Sequence, residues 1–365
     1  MSDRQTQGID ATNQAFIRYD QVEKKQEYQL AEGRGQEAFD EETRVQTCDL
    51  GRFLHGNEQD KQEFARELGQ ALRHLGFAIL ENHGIDPKLY REAEERTAEV
   101  FTTVSLEDKL KHRAARFGSV NQGYFPIKET SGIHPDLVEG WVFCRRAFDM
   151  DAPAERAQRG DPAFKWQDFW PRADFEPFFR QLTLNHEKLI LPVMQSILRD
   201  LGCDPHLYDR KLAKTNFGQR LNYYPPLGKE EIESGAGRML GHEDVDLFTF
   251  LPAASVEGLQ VLNRANMSWI RLQAPPGSII LNTGDYAQRI SNDLLPSTTH
   301  RVSLPRDPAL RGKARVSFPM AIYVWEEEVL EVLPGLTPAK YPPIKALPFH
   351  TSITAKYYGD DYAVK

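Results

Sequence analysis

The chain has 365 residues, with 45 Lys and Arg against 53 Asp and Glu, a formal net charge of −8. Apolar residues at 40% and aromatics at 10% suffice for a substantial core, which excludes a disordered chain. A mildly acidic balance without a basic block argues against a nucleic-acid partner, and no apolar run approaches the ~18 residues that a membrane span needs. The polar start MSDRQTQGID lacks the apolar stretch of a signal peptide. Three widely spaced cysteines, Cys48, Cys144 and Cys203, fit neither a disulfide framework nor a zinc knuckle. The expectation is a soluble, cytoplasmic, globular protein of a size typical of enzymes; the oligomeric state stays open.

Residues 1–45 are rich in Gln, Glu and Lys and read as an extension that is mobile or wrapped on the surface. A short strand is expected near Thr47–Leu50. Phe64, Leu68, Ala71, Leu72 and Leu75 recur at three and four residues, which predicts a helix over Asp60–Leu75. Gly76 closes it, and Phe77–Leu80 reads as a strand entering the turn Asn82–Gly84. Pro87 to about Lys111 reads as a second helical region. The stretch from Gly118 to Asp174 mixes Gly, Pro and aromatics and carries no period that assigns it. Phe178–Leu201 is again helical.

Beyond Lys214 the texture changes. Short β-rich runs at Gln219–Tyr224, Leu247–Leu251, Leu259–Leu262, Trp269–Leu272, Ser278–Asn282 and Arg315–Tyr323 alternate with turn residues. Such spacing implies an antiparallel sandwich or barrel. The expected organisation is a polar extension over 1–45, a helical and mixed region over 46–210, a β core over 211–340 and a surface-packed tail over 341–365. A lid over the mouth of the core is the alternative for that tail.

The most informative stretch is Gly241–His242–Glu243–Asp244–Val245–Asp246. In an extended chain successive side chains alternate faces, so His242 and Asp244 project to one side. An imidazole and a carboxylate so placed can hold two adjacent positions of one metal, and His300 is the candidate third ligand. Two histidines and one carboxylate on one face of an octahedron leave three open positions, the pattern of non-haem Fe(II) oxygenases. Glu243 points to the opposite face, and Asp246 lies too far from His242 to share its metal. The remaining histidines read as turn, surface or core residues. Arg315 and Ser317 also share a face, and a guanidinium fork beside a hydroxyl can grip a carboxylate.

These residues together resemble the isopenicillin N synthase-like branch of the Fe(II)/2-oxoglutarate-dependent dioxygenases. The matching stretches are Leu221–Pro225, His242–Asp244, Gly258–Val261, Pro276–Asp285, Ser297–Val302 and Arg315–Ser317, with Cys48–Leu50 and Leu75–Ile85 upstream. The resemblance covers roughly residues 46–340. It implies a mainly β protein with a helical flank: a double-stranded β-helix, or jelly roll, behind an N-terminal α/β region. It implies Fe(II) on His242, Asp244 and His300, and 2-oxoglutarate on Arg315 and Ser317 with Tyr224 and Asn222 nearby. The implied reaction consumes O2 and 2-oxoglutarate, releases succinate and CO2, and oxidises a C–H bond of a small-molecule substrate, with hydroxylation the default over desaturation or cyclisation. Tyr124, Phe125, Tyr286 and Arg289 are the expected substrate-side residues, and Gly284–Asp285 a turn. Two alternatives remain on the same residues: an iron oxidase that does not use 2-oxoglutarate, and a non-catalytic small-molecule binder.

Overall fold

The helical spacing at Asp60–Leu75 becomes α1 (Glu58–Leu75) in the computed structural model, which describes residues 37–129, 136–148, 168–228, 237–358 and 364. Its start is set by a capping box. Asn57 Oδ1 accepts from the Gln59 and Asp60 N–H groups, and the Asp60 carboxylate accepts from Asn57 N–H. Its end is set by Gly76 at φ 75°, a left-handed position that glycine adopts without strain. The apolar stripe Phe64, Leu68 and Leu72 is buried.

The helical region expected from Pro87 to Lys111 is two helices. α2 (Pro87–Thr102) begins with Asp86 accepting from Lys88 N–H; Ser105 then caps a separate short helix, Leu106–Lys111. A serine that can cap its own new helix competes with continuation of the old one. The long α3 (Phe175–Asp200) packs against α1.

Apart from a two-stranded ribbon of Val329–Leu330 with Ile344–Lys345, the described strands form two sheets. The larger sheet contains β1 (Thr47–Asp49), β2 (Phe77–Glu81), β3 (Ala115–Phe117), β4 (Val120–Phe125), β5 (Glu139–Cys144) and β6 (Asn216–Tyr224). Four later strands join it: β8 (Phe248–Pro252), β11 (Ile279–Thr283), β13 (Arg315–Ser317) and β14 (Met320–Tyr323). Their order is β1–β2–β11–β8–β14–β6–β5–β4–β3, with β13 also paired to β6. The smaller sheet contains β7 (Met239–His242), β9 (Leu259–Asn263), β10 (Ser268–Arg271) and β12 (His300–Val302), in the order β10–β9–β12–β7. All pairings within these two sheets are antiparallel except β1 with β2.

Two sequence expectations are refined here. The run Arg315–Tyr323 is two strands, because Pro319 cannot donate to a ladder and its carbonyl instead accepts from Arg220 N–H. Part of the unassigned stretch Gly118–Asp174 supplies β4 and β5, which extend the larger sheet beyond β6. Neither strand alternates cleanly, since β5 is buried on both faces from Gly140 to Cys144.

The described end of the N-terminal extension wraps the smaller sheet. Trp269 N–H donates to Ala38 O at 2.9 Å and Asp40 N–H to Trp269 O at 3.0 Å. Glu37 reaches Arg301, whose guanidinium lies 3.9 Å from the centre of the Trp269 ring. Residues 1–36 lie outside the described residues.

The tail expected to pack on the surface is different in kind. After α4 (Asp285–Ile290), the last described helix is α5 (Ala346–Tyr358), whose Phe349, His350, Thr351 and Ile353 are buried. Among the described residues no helix is long and apolar enough to cross a membrane.

Candidate metal centre

His242 and His300 lie far apart in sequence but directly opposite each other on paired strands β7 and β12. Residues opposed in an antiparallel pair share a face, so their rings converge, with centroids 4.4 Å apart. The strand ends at His242, and the loop that follows returns Asp244 to the same side. Asp244 Oδ1 stands 3.8 Å from Nε2 of each histidine. One donor atom from each of the three lies within 4.8 Å of the others, the spacing of groups arranged around a common ion.

Each donor is aimed by a second contact. His242 Nδ1 bonds the Leu240 carbonyl at 3.0 Å and His300 Nδ1 the Thr298 carbonyl at 3.1 Å. A carbonyl can only accept, so Nδ1 carries the proton and Nε2 keeps its lone pair for a metal. Asp244 Oδ2 accepts from Asn282 Nδ2 at 2.8 Å and Thr249 Oγ1 at 2.7 Å, leaving Oδ1 free toward the histidines. Such outer contacts fix both orientation and donor strength.

Burial holds the pKa of His242 down to about 4, and the neighbouring His300 adds to the effect. Burial alone would raise that of Asp244, but His300, His242, Thr249 and Asn282 together carry it below the ordinary carboxylate value. At neutral pH His242 is therefore a neutral imidazole and Asp244 a carboxylate, both ready to ligate without losing a proton.

Asp246 does not reach the mouth of the site. It is fully buried, and its Oδ2 lies 2.6 Å from the same Thr249 hydroxyl. One hydroxyl proton cannot serve two carboxylates. Burial and then the charge of Asp244 push the pKa of Asp246 well up. The Thr249 hydroxyl stands between the two carboxyls, within donating distance of each. Glu243 faces away as expected and accepts from Thr299 Oγ1 at 3.0 Å.

The three converging side chains line a cavity of about 290 Å³ between the sheets. Arg315, Ser317, Asn222 and Tyr224 line it too. β13 and β6 pair in a register that sets Arg315 opposite Tyr224 and Ser317 opposite Asn222. Arg315 is fully buried; its Nε donates to the Val256 carbonyl at 3.1 Å and its charge sits 5.0 Å from the Tyr224 ring centre. Its Nη1 is buried without a hydrogen-bond partner. A buried charged donor left unpaired is costly, so this cavity-lining atom is able to take an anion.

Of the four substrate-side expectations, Phe125 alone lines the cavity. Tyr124 follows the opposite face of β4, and its hydroxyl donates to Glu139 at 2.6 Å. Tyr286 is buried and donates to the Ala346 carbonyl at 3.2 Å; Arg289 Nη2 donates to the Pro342 carbonyl at 2.6 Å. Both anchor the approach to α5 rather than a ligand. The Gly284–Asp285 turn opens α4, and Asp285 N–H donates to the Asp244 carbonyl at 2.8 Å.

Sequence reasoning missed Arg220, His350 and Thr354, all of which line the cavity, and the supporting pair Thr249 and Asn282. Arg220 was readable in principle, since it precedes Asn222 by two on the same strand face. His350 and Thr354 come from α5, and no local pattern ties that helix to the metal face.

Comparison with known proteins agrees with this geometry. Residues 215–322 match the family model of the 2OG-Fe(II) oxygenase superfamily, and residues 45–173 match that of the non-haem dioxygenase in morphine synthesis N-terminal region. The 2-oxoglutarate-Fe(II) type oxidoreductase ppzD of Metarhizium majus is 30% identical over 293 residues, covering 76% of this chain and 83% of the relative. Isopenicillin N synthase of Streptomyces griseus is 26% identical over 301 residues, covering 79% and 86%. The crystal structure of a full-length Neurospora crassa protein in complex with alpha-KG and 5-formyluracil superposes with a TM-score of 0.73 at 26% identity, covering 87% of this chain and 99% of that one. The jelly-roll fold, the two-histidine, one-carboxylate cluster and these matches make one statement: the chain belongs to the 2-oxoglutarate–Fe(II) oxygenase superfamily and is a non-haem Fe(II)- and 2-oxoglutarate-dependent dioxygenase of small molecules.

Proposed function

We propose that this enzyme hydroxylates a C–H bond of a compact metabolite, with His242, Asp244 and His300 holding Fe(II) and Arg315, Ser317, Tyr224 and Asn222 seating 2-oxoglutarate. The observation that carries the assignment is the convergence of two free Nε2 lone pairs and one free carboxylate oxygen beside a buried, unpartnered Arg315 Nη1. Bound there, Fe(II) with 2-oxoglutarate and O2 supplies the oxidising power, and succinate and CO2 are the co-products.

The chain's own part is positional. The Leu240 and Thr298 carbonyls lock both histidine tautomers, while Thr249 and Asn282 turn Asp244 Oδ1 inward. Arg315 offers charge and a fork for a distal carboxylate, with the Ser317 hydroxyl beside it. Val245, Leu251, Leu259 and Val302 keep much of the cavity wall apolar, which strengthens these polar contacts and excludes water. We place the enzyme in the cytoplasm, where the free thiols of Cys48, Cys144 and Cys203 stay reduced.

The test is 2-oxoglutarate-dependent release of succinate in air. The assignment predicts release by the Fe(II)-supplied enzyme and none by His242→Ala. Succinate production that survives in His242→Ala, or an active iron enzyme that releases none, would overturn it.

A further inference from the structure

We infer that the substrate is a small organic acid whose carboxylate is bound by Arg220, at a subsite distinct from the one assigned to 2-oxoglutarate. The inference rests on that assignment.

β6 turns Gly218, Arg220, Asn222 and Tyr224 toward the cavity, because side chains two apart share a strand face. Tyr224 and Asn222 stand opposite Arg315 and Ser317, whereas Arg220 lies a pleat further on, beside Pro319. Its guanidinium is held on three sides. Nε donates to Asn222 Oδ1 at 2.6 Å, and the charge sits 5.1 Å from the centre of the Phe125 ring. The third side is Gly140 on the neighbouring strand β5, where a Cβ would come within 3.1 Å of Nη2. The absent side chain is what gives the fork its room.

These contacts orient the group without neutralising it. Among the described residues no carboxylate pairs with Arg220. By contrast Arg145, Arg146 and Arg301 are each paired, with Glu187, Glu326 and Glu37. The nearby wall acid, Asp136, accepts the Leu240 N–H at 2.9 Å. A pre-aimed guanidinium in a cavity wall binds a carboxylate through two parallel hydrogen bonds.

Size and lining describe the rest of the molecule. The cavity of about 290 Å³ is at the small end of ligand sites and must take co-substrate and substrate together. Val120, Val142, Phe125 and Tyr323 offer a largely apolar wall around Arg220. The substrate body is therefore compact and apolar, and the acid group supplies its orientation.

The experiment is anaerobic calorimetry on the protein loaded with Fe(II) and 2-oxoglutarate. The probes are phenylacetate, cinnamate and octanoate, each beside its primary amide. At least one acid binds, and its amide binds about 10-fold or more weakly. Arg220→Met lowers affinity for that acid about 10–100-fold, the loss expected of a charge-assisted bond. Gly140→Ala, which crowds the fork but keeps the charge, weakens the acid in the same direction. In Gly140→Ala, which leaves the Arg220–Asn222 bond in place, 2-oxoglutarate affinity stays within about threefold of the parent, and in Arg220→Met, which frees Asn222, it falls less than that of the acid. Equal binding of acid and amide, no binding of any acid, or a loss in Arg220→Met that falls on 2-oxoglutarate instead would overturn the inference. A parent protein that fails to bind 2-oxoglutarate would fail the underlying assignment itself, which keeps the two failures apart.

Discussion

At the residue scale the site depends on single atoms aimed by their neighbours. Thr249 links Asp244 to the buried Asp246, and Asn282 holds the same Asp244 oxygen from the other side. Removing the hydroxyl with Thr249→Val leaves Asp244 half-supported, and Fe(II) affinity should fall about 10–100-fold with the fold intact. Equilibrium dialysis against Fe(II) reads that change. Gly284 has a stricter role: a Cβ there would lie 2.2 Å from Asp246 Oδ1 and 2.8 Å from the Asp244 carbonyl. Gly284→Ala must therefore displace the ligand loop, and the expected result is loss of tight Fe(II) binding together with a lowered Tm. The ligands themselves were legible because alternation puts His242 and Asp244 on one side, and Arg315 and Ser317 on one side. Their supporting partners were not, because Thr249 and Asn282 reach Asp244 only through the pairing of β8 with β11. Tyr286 and Arg289 were misread for a related reason, since nothing local reveals that α5 packs over them.

At the scale of elements, helices with a capped start and an apolar stripe were legible, and α1 shows both signals. The break at Ser105 was not, because the apolar positions continue across it while the capping serine decides the boundary. α5 was hidden for another reason. Its buried positions Ala346, Phe349, His350 and Ile353 fall at helical spacing, but His350 and the adjacent buried Thr351 are polar and interrupt the apolar stripe that marks a helix in sequence. The N-terminal segment gives an element-level prediction. The ion pair between Glu37 and Arg301 is almost fully buried, directly after the ligand His300. Glu37→Ala strips a buried guanidinium of that partner and should destabilise the protein by about 3 kcal/mol, read by chemical denaturation. A change within about 0.5 kcal/mol would show that the wrapped segment contributes nothing to the smaller sheet.

At the scale of the whole molecule, the two-layer β core follows from short strands at regular spacing, and its order comes from tertiary pairing. β4 and β5 had no readable period because they are buried on both faces, which erases alternation. Buried histidines give the molecule a predictable response to acid. Burial, with a smaller contribution from His83, holds the pKa of His186 down to about 3, and burial holds that of His350 down to about 4. Each binds fewer protons folded than unfolded below pH ~6.5, so stability is constant above that value and falls as pH drops toward the folded pKa. The contribution is about 3 kcal/mol for a histidine held near 4. Tm should fall steeply between about pH 6.5 and 4.5, and His350→Gln should reduce that slope. An unchanged slope in the variant would remove His350 from the account.

The central claim is that one cavity holds Fe(II) on His242, Asp244 and His300 and 2-oxoglutarate on Arg315. An anaerobic titration of the Fe(II)-loaded protein with 2-oxoglutarate, followed through the visible iron-to-keto-acid charge-transfer band, tests both halves together. The account predicts a saturable band that is absent in His242→Ala and needs about 10–100-fold more 2-oxoglutarate in Arg315→Leu. An iron-loaded protein that shows no band, or an Arg315→Leu protein that titrates as the parent does, would contradict it.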